Sequence, residues 1–530
     1  MKSRILLLFL MLYSLSTFPQ AVYQHISNSG VYDFLDELAS AQLVDLNGSV
    51  KPYSRELISN ALEIAYNKKD QLTNRQREEL DFYLKDFGKE LNPDKKFQKR
   101  FDTFYYKDSL FTLTLNPLLG VYSNYNDSTF AYQRWVGAEM WGYIGEHFGF
   151  YTSLRDYDEN NRFTDPGYIS QMIGGNYKRQ AKGGEYSEMR GGIVYSWKWG
   201  SFGLIKDHIQ WGSGYHGTNI LGGNTPSFGM IKLQIKPVKW FELNYIHGWL
   251  VSEVIDSNRT YFSNGTERNT YHPKYLAANF FTFTPFKNLN LSFGNSIIYS
   301  DLDIQPVYLT PIFFFKSIDH HLNGMSNYTG QNSQMFLDIS SRLIRNLHLY
   351  LTLFLDELSM KNAFDEEKHS NFYSLKTGFR MYNLPVKNFI LTFEYTRTNP
   401  LTYRHIISTT TFESNRYNLG HYLKDNADEL YLSLSFKPHR AMTITASYTS
   451  ARKGPDYTEM GTSRLGLPFI KTVDWKDKEM ALYVQWQIVN DGYVFLSAAQ
   501  TDISDKNNRY TPPFLLGKQV NIRSGICFGF

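Results

Sequence analysis

The chain reads as an all-β transmembrane protein: a large antiparallel outer-membrane β-barrel of about 16–18 strands with a small N-terminal α-helical domain. Three observations predict this. Period-two alternation of apolar and polar residues recurs from about Leu110 to the end of the 530 residues. The apolar faces of those strands are free of charge, and their polar faces are rich in Ser, Thr, Tyr, Asn and Gln rather than Lys and Glu. A charge on a lipid face at mid-membrane costs roughly 2–4 kcal/mol, so its absence fits a membrane wall better than a solvated sandwich. The chain also opens on what reads as an export signal.

That signal comes first in order. Lys2 and Arg4 precede an apolar run from Ile5 to Leu15, too short to span a bilayer, and small residues follow with an expected cleavage after Ala21. No cysteine lies there, so a lipoprotein anchor is not expected. The expected division is a signal peptide over 1–21, a periplasmic helical region and linker over 22–105, and an outer-membrane barrel over 106–530.

Helical spacing occupies the next segment. Val31, Phe34, Leu35 and Leu38 fall at i, i+3, i+4 and i+7, and Asn47-Gly48 is expected to stop that helix. Ser54 can cap a second helix carrying Leu57, Ile58, Ala61, Leu62 and Ala65. Thr73-Asn74-Arg75-Gln76 has the form of a capping box opening a third, through Leu80, Tyr83, Leu84 and Phe87. Lys89 to Lys107, charged and carrying Pro93, reads as a linker.

The strands follow. Leu347, Leu349, Leu351, Leu353 and Leu355 alternate with His348, Tyr350, Thr352, Phe354 and Asp356; Leu430 to Phe436 and Met480 to Ile488 repeat the pattern. Asp156 to Asn161 marks one connection. Asp256 to Lys274, Asn323 to Asn332, Met360 to Asn371 and Thr409 to Asp428 are long and polar, as extracellular barrel loops are. At the end Val520, Ile522, Ile526, Phe528 and Phe530 share one parity. Alone, that pattern suits a sandwich edge or a membrane strand equally. The uncharged upstream faces favour the membrane strand, with Phe530 as a terminal signal for the barrel-assembly machinery.

Composition agrees. Mean hydropathy of −0.40 is uninformative for a barrel, whose lumen-facing polar residues cancel its lipid-facing apolar ones. The 16% aromatic content suits strands and membrane interfaces. Cys527 is the sole cysteine, so no internal disulfide forms, and a net charge of +4 gives no reason to expect nucleic acid as a partner.

Motifs for catalysis are weak. Gly212-Ser213-Gly214 lies among strands rather than at a phosphate-binding turn, and His320-His321, read as a solvated loop pair, lacks companions at metal-ligand spacing. There is no Gly-x-Ser-x-Gly elbow, although a catalytic pair assembled across strands leaves no trace in sequence. Asp356 and Glu394 face the lumen by alternation, with Arg397 and Arg404 near the end of the latter strand. Inward charges of this kind either pair to stiffen the interior or line a ligand path. Aromatic faces beside Asn, Asp and Arg suit sugars, whose C–H faces stack on rings while their hydroxyls need donors and acceptors.

The order of several segments resembles the capsule-assembly Wzi family of outer-membrane proteins. These are Val31–Leu38 with Lys51–Arg55; Trp211–Gly214 with Asn219–Phe228; Tyr245–Leu250; and Phe354–Glu357 with Glu394–Arg397, Tyr403–His405 and Leu419–His421. Ser227 and Glu357 depart from the pattern, where a second Pro and a second Asp are expected. The resemblance implies an 18-stranded barrel, helices at its periplasmic end, and a lectin-like, non-enzymatic role without cofactor or metal. It implies capsular or other surface polysaccharide as partner, beside outer-membrane lipid. Candidate ligand-binding residues are Trp211, His216, Asn224, His247, Asp356, Glu394, Arg397, His405 and His421. The alternative function is a channel or transporter for small or apolar solutes. An energy-coupled receptor is disfavoured, because the region before the first strand is too short and too helical for a globular plug.

Overall fold

In the computed structural model the described residues are 20–91, 102–127, 129–324, 330–383, 385–457 and 464–529. The leader reading over residues 1–19, the linker over 92–101 and the role given to Phe530 lie outside them.

Alternation with an uncharged outer face leaves backbone groups that only closure can satisfy in lipid. Eighteen antiparallel strands accordingly close into a barrel among the described residues. They are β1 (Phe111–Asn126), β2 (Thr129–Ile144), β3 (Phe148–Glu159), β4 (Gly184–Trp197), β5 (Gly200–Asp207) and β6 (Phe228–Val238). Next come β7 (Phe241–Ile255), β8 (Tyr271–Phe286), β9 (Leu289–Ser300), β10 (Asn332–Ser341), β11 (Leu347–Glu357) and β12 (Phe372–Tyr382). The last are β13 (Phe389–Thr398), β14 (Ala427–His439), β15 (Met442–Lys453), β16 (Trp475–Val489), β17 (Gly492–Asp505) and β18 (Gly517–Phe528). Strand β18 meets β1 from Ile522↔Tyr125 to Phe528↔Leu119 and shuts the sheet.

The two faces follow the sequence alternation. On β11 His348, Tyr350, Thr352 and Phe354 are buried in the lumen while Leu349 faces out. Met480, Leu482, Trp486 and Ile488 of β16 are exposed on the outer wall, as are Val520, Ile522 and Ile526 of β18, whose Asn521 and Cys527 point inward. Turns from even to odd strands are short. The connections from β3 to β4, β5 to β6, β13 to β14 and β15 to β16 are long.

Three helices cap the short-turn end: α1 (Ser29–Ser40), α2 (Arg55–Tyr66) and α3 (Asn74–Phe87). The Ser54 side chain accepts from Leu57 N at 3.1 Å, and Thr73 and Gln76 form the expected capping box. Helix α1 ends at Ser40, however, seven residues before Asn47. Gln42 adopts φ 63°, and the amides of Gln42 and Leu43 bond back to Ala39 and Leu38 at 3.0 Å each, so the last carbonyls are satisfied without glycine. Val31, Phe34, Leu38, Ile58, Leu62, Leu80 and Phe87 form the bundle's core. Buried polar contacts lock the bundle to the barrel: Asp36 to Arg342 at 2.8 Å, Glu79 to Lys437 at 3.0 Å, Asp86 to Asn490 at 2.6 Å and Tyr83 to Gln487 at 3.0 Å.

Two more readings need correction. Phe104–Lys107, expected in the linker, pairs with β1 from Phe104↔Leu115 to Lys107↔Thr112. It covers the part of β1 that β18 leaves open, as an edge in lipid requires. His320 and His321, though exposed, sit on helix α4 (Phe315–Asn323) rather than on a loop.

The lumen is a packed core. The 208–227 connection descends into it, and Gln210–Trp211 pairs there with Val50–Lys51 of the helical region and with Leu221–Gly222. Gly212 takes φ 103° in this descent, and a Cβ on Gly214 would lie 2.6 Å from the Gly217 carbonyl and from Lys376 Cε. Glycine is needed at both. Val22, Tyr23, Ile209, Trp211, Ile220, Met230, Ile246, Phe280, Phe336, Phe354 and Tyr403 join in one apolar cluster across the interior.

Candidate functional site

At the long-loop end the inward faces of β1, β15, β16 and β18 and four connections surround a chamber of about 260 Å³. Each wall strand supplies inward-parity side chains: Tyr122 and Asn124, Thr449, Asp477 and Glu479, and Arg523. The connections add Phe163, Gln171, His216 and Tyr422. Arg523 grips Glu479 through two hydrogen bonds of 3.0 and 2.6 Å, a bidentate pair with both side chains partly exposed. Trp475 donates its Nε1–H to Thr511 at 2.7 Å, which fixes the indole. Rings and hydrogen-bonding groups thus alternate around one space.

Beneath it lies a buried network. Glu394 accepts from the backbone amides of Tyr215 at 2.6 Å and His216 at 2.9 Å, from the Tyr350 hydroxyl, and pairs with Lys376 at 2.7 Å. The His216 ring stacks on Tyr431 with centroids 3.9 Å apart and planes at 8°. Its Nε2 lies 3.5 Å from Glu429, which also receives the Tyr422 hydroxyl, and His421 Nε2 is 3.9 Å from the same carboxylate. Burial drives the His421 imidazole down to about 3 despite Glu429, so it is neutral at physiological pH.

A second cleft of about 340 Å³ opens nearby, lined by Lys316, Asp319, Asp356, Glu357, His405 and Arg464 among others. Burial, with Arg464 adding, lowers His405 to about 4. Its Nδ1 accepts from Ile407 N at 3.2 Å and lies 2.7 Å from the Thr410 hydroxyl.

The sequence-derived candidates therefore divide. His216, Glu394 and His421 share one network, and Asp356 and His405 share the second cleft. Trp211 stacks on Phe280 at 5.4 Å within the lumen core and is 1% exposed. Asn224 holds a neighbouring connection, its carbonyl accepting from Gly174 N at 2.8 Å. Arg397 has the outward parity of Phe393 and Tyr395, with its guanidinium 4.0 Å from the Phe469 ring centre. His247 also has outward parity, yet is fully buried with Nε2 2.7 Å from the Tyr299 hydroxyl. Sequence reasoning did not select Tyr122, Trp475, Asp477, Glu479 or Arg523. Their signal was charge and aromaticity on the lumen parity near strand ends.

An uncharged outer belt around eighteen closed strands, with helices capping one mouth and connections packed into the lumen, makes this an integral β-barrel of the bacterial outer membrane. The chain belongs to the capsule assembly protein Wzi family, whose sequence model matches residues 81–502. Among solved structures it is similar to Wzi of Escherichia coli, described as an outer-membrane protein involved in group 1 capsule assembly and a carbohydrate-binding β-barrel. That likeness has a TM-score of 0.59 at 12% identity over 97% of this chain and 100% of the other. OprD of Pseudomonas aeruginosa gives 0.42 at 11% identity over 78% and 92%, and OccAB1 of Acinetobacter baumannii gives 0.42 at 11% over 81% and 97%. No curated protein matches by sequence. The helical cap lies at the end with the short turns, and the long connections lie at the opposite end.

Proposed function

We propose that this protein holds capsular or related surface polysaccharide at its extracellular mouth, as a lectin-like anchor without catalysis. The chamber walled by Tyr122, Tyr422 and the Glu479–Arg523 pair carries this reading. Sugar rings stack on aromatic faces, while a bidentate pair and neighbouring amides meet the hydroxyls without leaving buried polar groups unpaired. Family membership and the carbohydrate binding ascribed to the E. coli relative support it.

His216 is the ligand-facing member of the earlier candidate set in this chamber. Glu394 and His421 act below it by fixing the descending connection. Asp356 and His405 offer a second contact region. The buried Glu394, held by Lys376 and two amides, is unsuited to proton transfer with a substrate, which favours a non-enzymatic role. Residues 1–21 serve as export signal, the segment to about residue 103 as periplasmic cap and linker, and Phe530 as the contact for barrel assembly.

Capsule retention tests the reading. A deletion strain is expected to shed capsule into the medium and to regain it with the intact gene. Normal surface capsule in the deletion strain, together with no binding of the host's capsular polysaccharide to the purified protein, would sink it.

A further inference from the structure

Between β9 and β10, residues 301–324 do not fold over the lumen. The short helix Pro306–Leu309 and helix α4 pack on Tyr245, Ala277, Ile297 and Tyr299. All four have the parity opposite to Ile246, Ala278 and Ile298, which belong to the lumen core. The segment 301–324 therefore lies against the outside of the barrel.

Its polar backbone is turned to the wall. Asn279 donates to the carbonyls of Pro311 at 3.0 Å and Phe313 at 2.9 Å. Asn295 accepts from Phe315 N at 2.9 Å, capping α4 from across space, and Tyr245 donates to the Tyr308 carbonyl at 2.7 Å. Asn279 and Asn295 also bond each other at 2.8 Å. Asparagines on the outward face of a membrane strand are costly unless paired, and irregular backbone is tolerated in lipid only where protein satisfies it. Both conditions are met here by the same contacts.

What faces away from the barrel is apolar: Ile312 is 67% exposed, Phe314 47% and Leu309 37%. Asn295 lies five residues below Ser300, the outer end of β9, a depth of about 12 Å for a tilted strand. Met335 pairs with Asn295 across the neighbouring strand and is itself exposed, so the tip continues the barrel's outer apolar belt at that level.

We propose that residues 301–324 form a strap embedded in the outer leaflet, with Ile312 to Phe314 seated among lipid acyl chains. A second copy of the protein is the competing occupant. A nitroxide at Ile312→Cys, in a Cys527→Ser background reconstituted in dioleoylphosphatidylcholine vesicles, distinguishes them by its collisions with oxygen and with a water-soluble nickel chelate. The label is expected to match one at Phe293→Cys on the belt, open to oxygen and shielded from nickel. Nickel access like that of a label at Tyr261→Cys, on an exposed loop, would overturn the proposal. So would shielding from both reagents with spin–spin broadening, the signature of a second copy. Adding Asn279→Leu should raise nickel access at Ile312 several-fold while the barrel keeps its heat-modifiable gel mobility; unchanged access there would overturn the anchoring role of the asparagine.

Discussion

Glu394 and Lys376 show what a charge inside this barrel requires. Each is at most 1% exposed at the side chain, and they lie 2.7 Å apart. Replacing Glu394 with Gln strands a buried ammonium, at a cost of about 3–5 kcal/mol. The expected result is a clear fall in Tm by scanning fluorimetry in detergent, whereas Gln on a solvated site would change little. Glu56, on the helical cap, gives a pH-dependent case. Burial raises its carboxyl to about 7, with Asn60 opposing and Glu90 adding. The folded state then holds a proton that the unfolded state has released between about pH 4.5 and 7. Stability from this site is therefore present below that window and lost as pH rises through it. Glu56→Gln should raise Tm at pH 8 and leave it unchanged at pH 4; the reverse order would contradict the assignment. At this scale the sequence showed Glu394 facing inward, because parity alone decides that. It could not place His247, since the burial of that outward-parity ring depends on Trp249 and on Tyr275 and Tyr299 of more distant strands.

Among elements, helix α3 was legible from four residues. The Thr73 side chain accepts from Gln76 N at 3.3 Å, and Thr73→Ala should cost about 1 kcal/mol, read as a lowered Tm with binding unaffected. The stop of α1 was not legible, because Gln42 takes a left-handed conformation that its residue type does not announce. The 208–227 connection was hidden for a different reason. Its Trp211, Ile220 and Leu221 are as apolar as a strand, because they are buried in the lumen instead of solvated. Trp211→Ala empties a site between Phe280 and Phe336 and should destabilise by about 3–5 kcal/mol. Saccharide affinity measured well below the lowered Tm should stay within about twofold, which separates this buried ring from the partly exposed Tyr122.

The whole molecule is a barrel used as a wall around a core. Alternation along the strands revealed the wall, because lipid on one side and protein on the other impose period two over hundreds of residues. The filling of the lumen depends on contacts between distant segments, such as Val50 with Trp211, and has no local signature. A filled lumen predicts no stepwise conductance in planar bilayers, in contrast to an open channel of this strand number. The proposed saccharide chamber is put to the test by calorimetric titration of the purified protein with fragments of the host's capsular polysaccharide. Saturable binding is expected, weakened about tenfold in Tyr122→Ala and in Arg523→Ala, the loss of one stacking or bidentate contact. Equal affinity in wild type and both variants would contradict it.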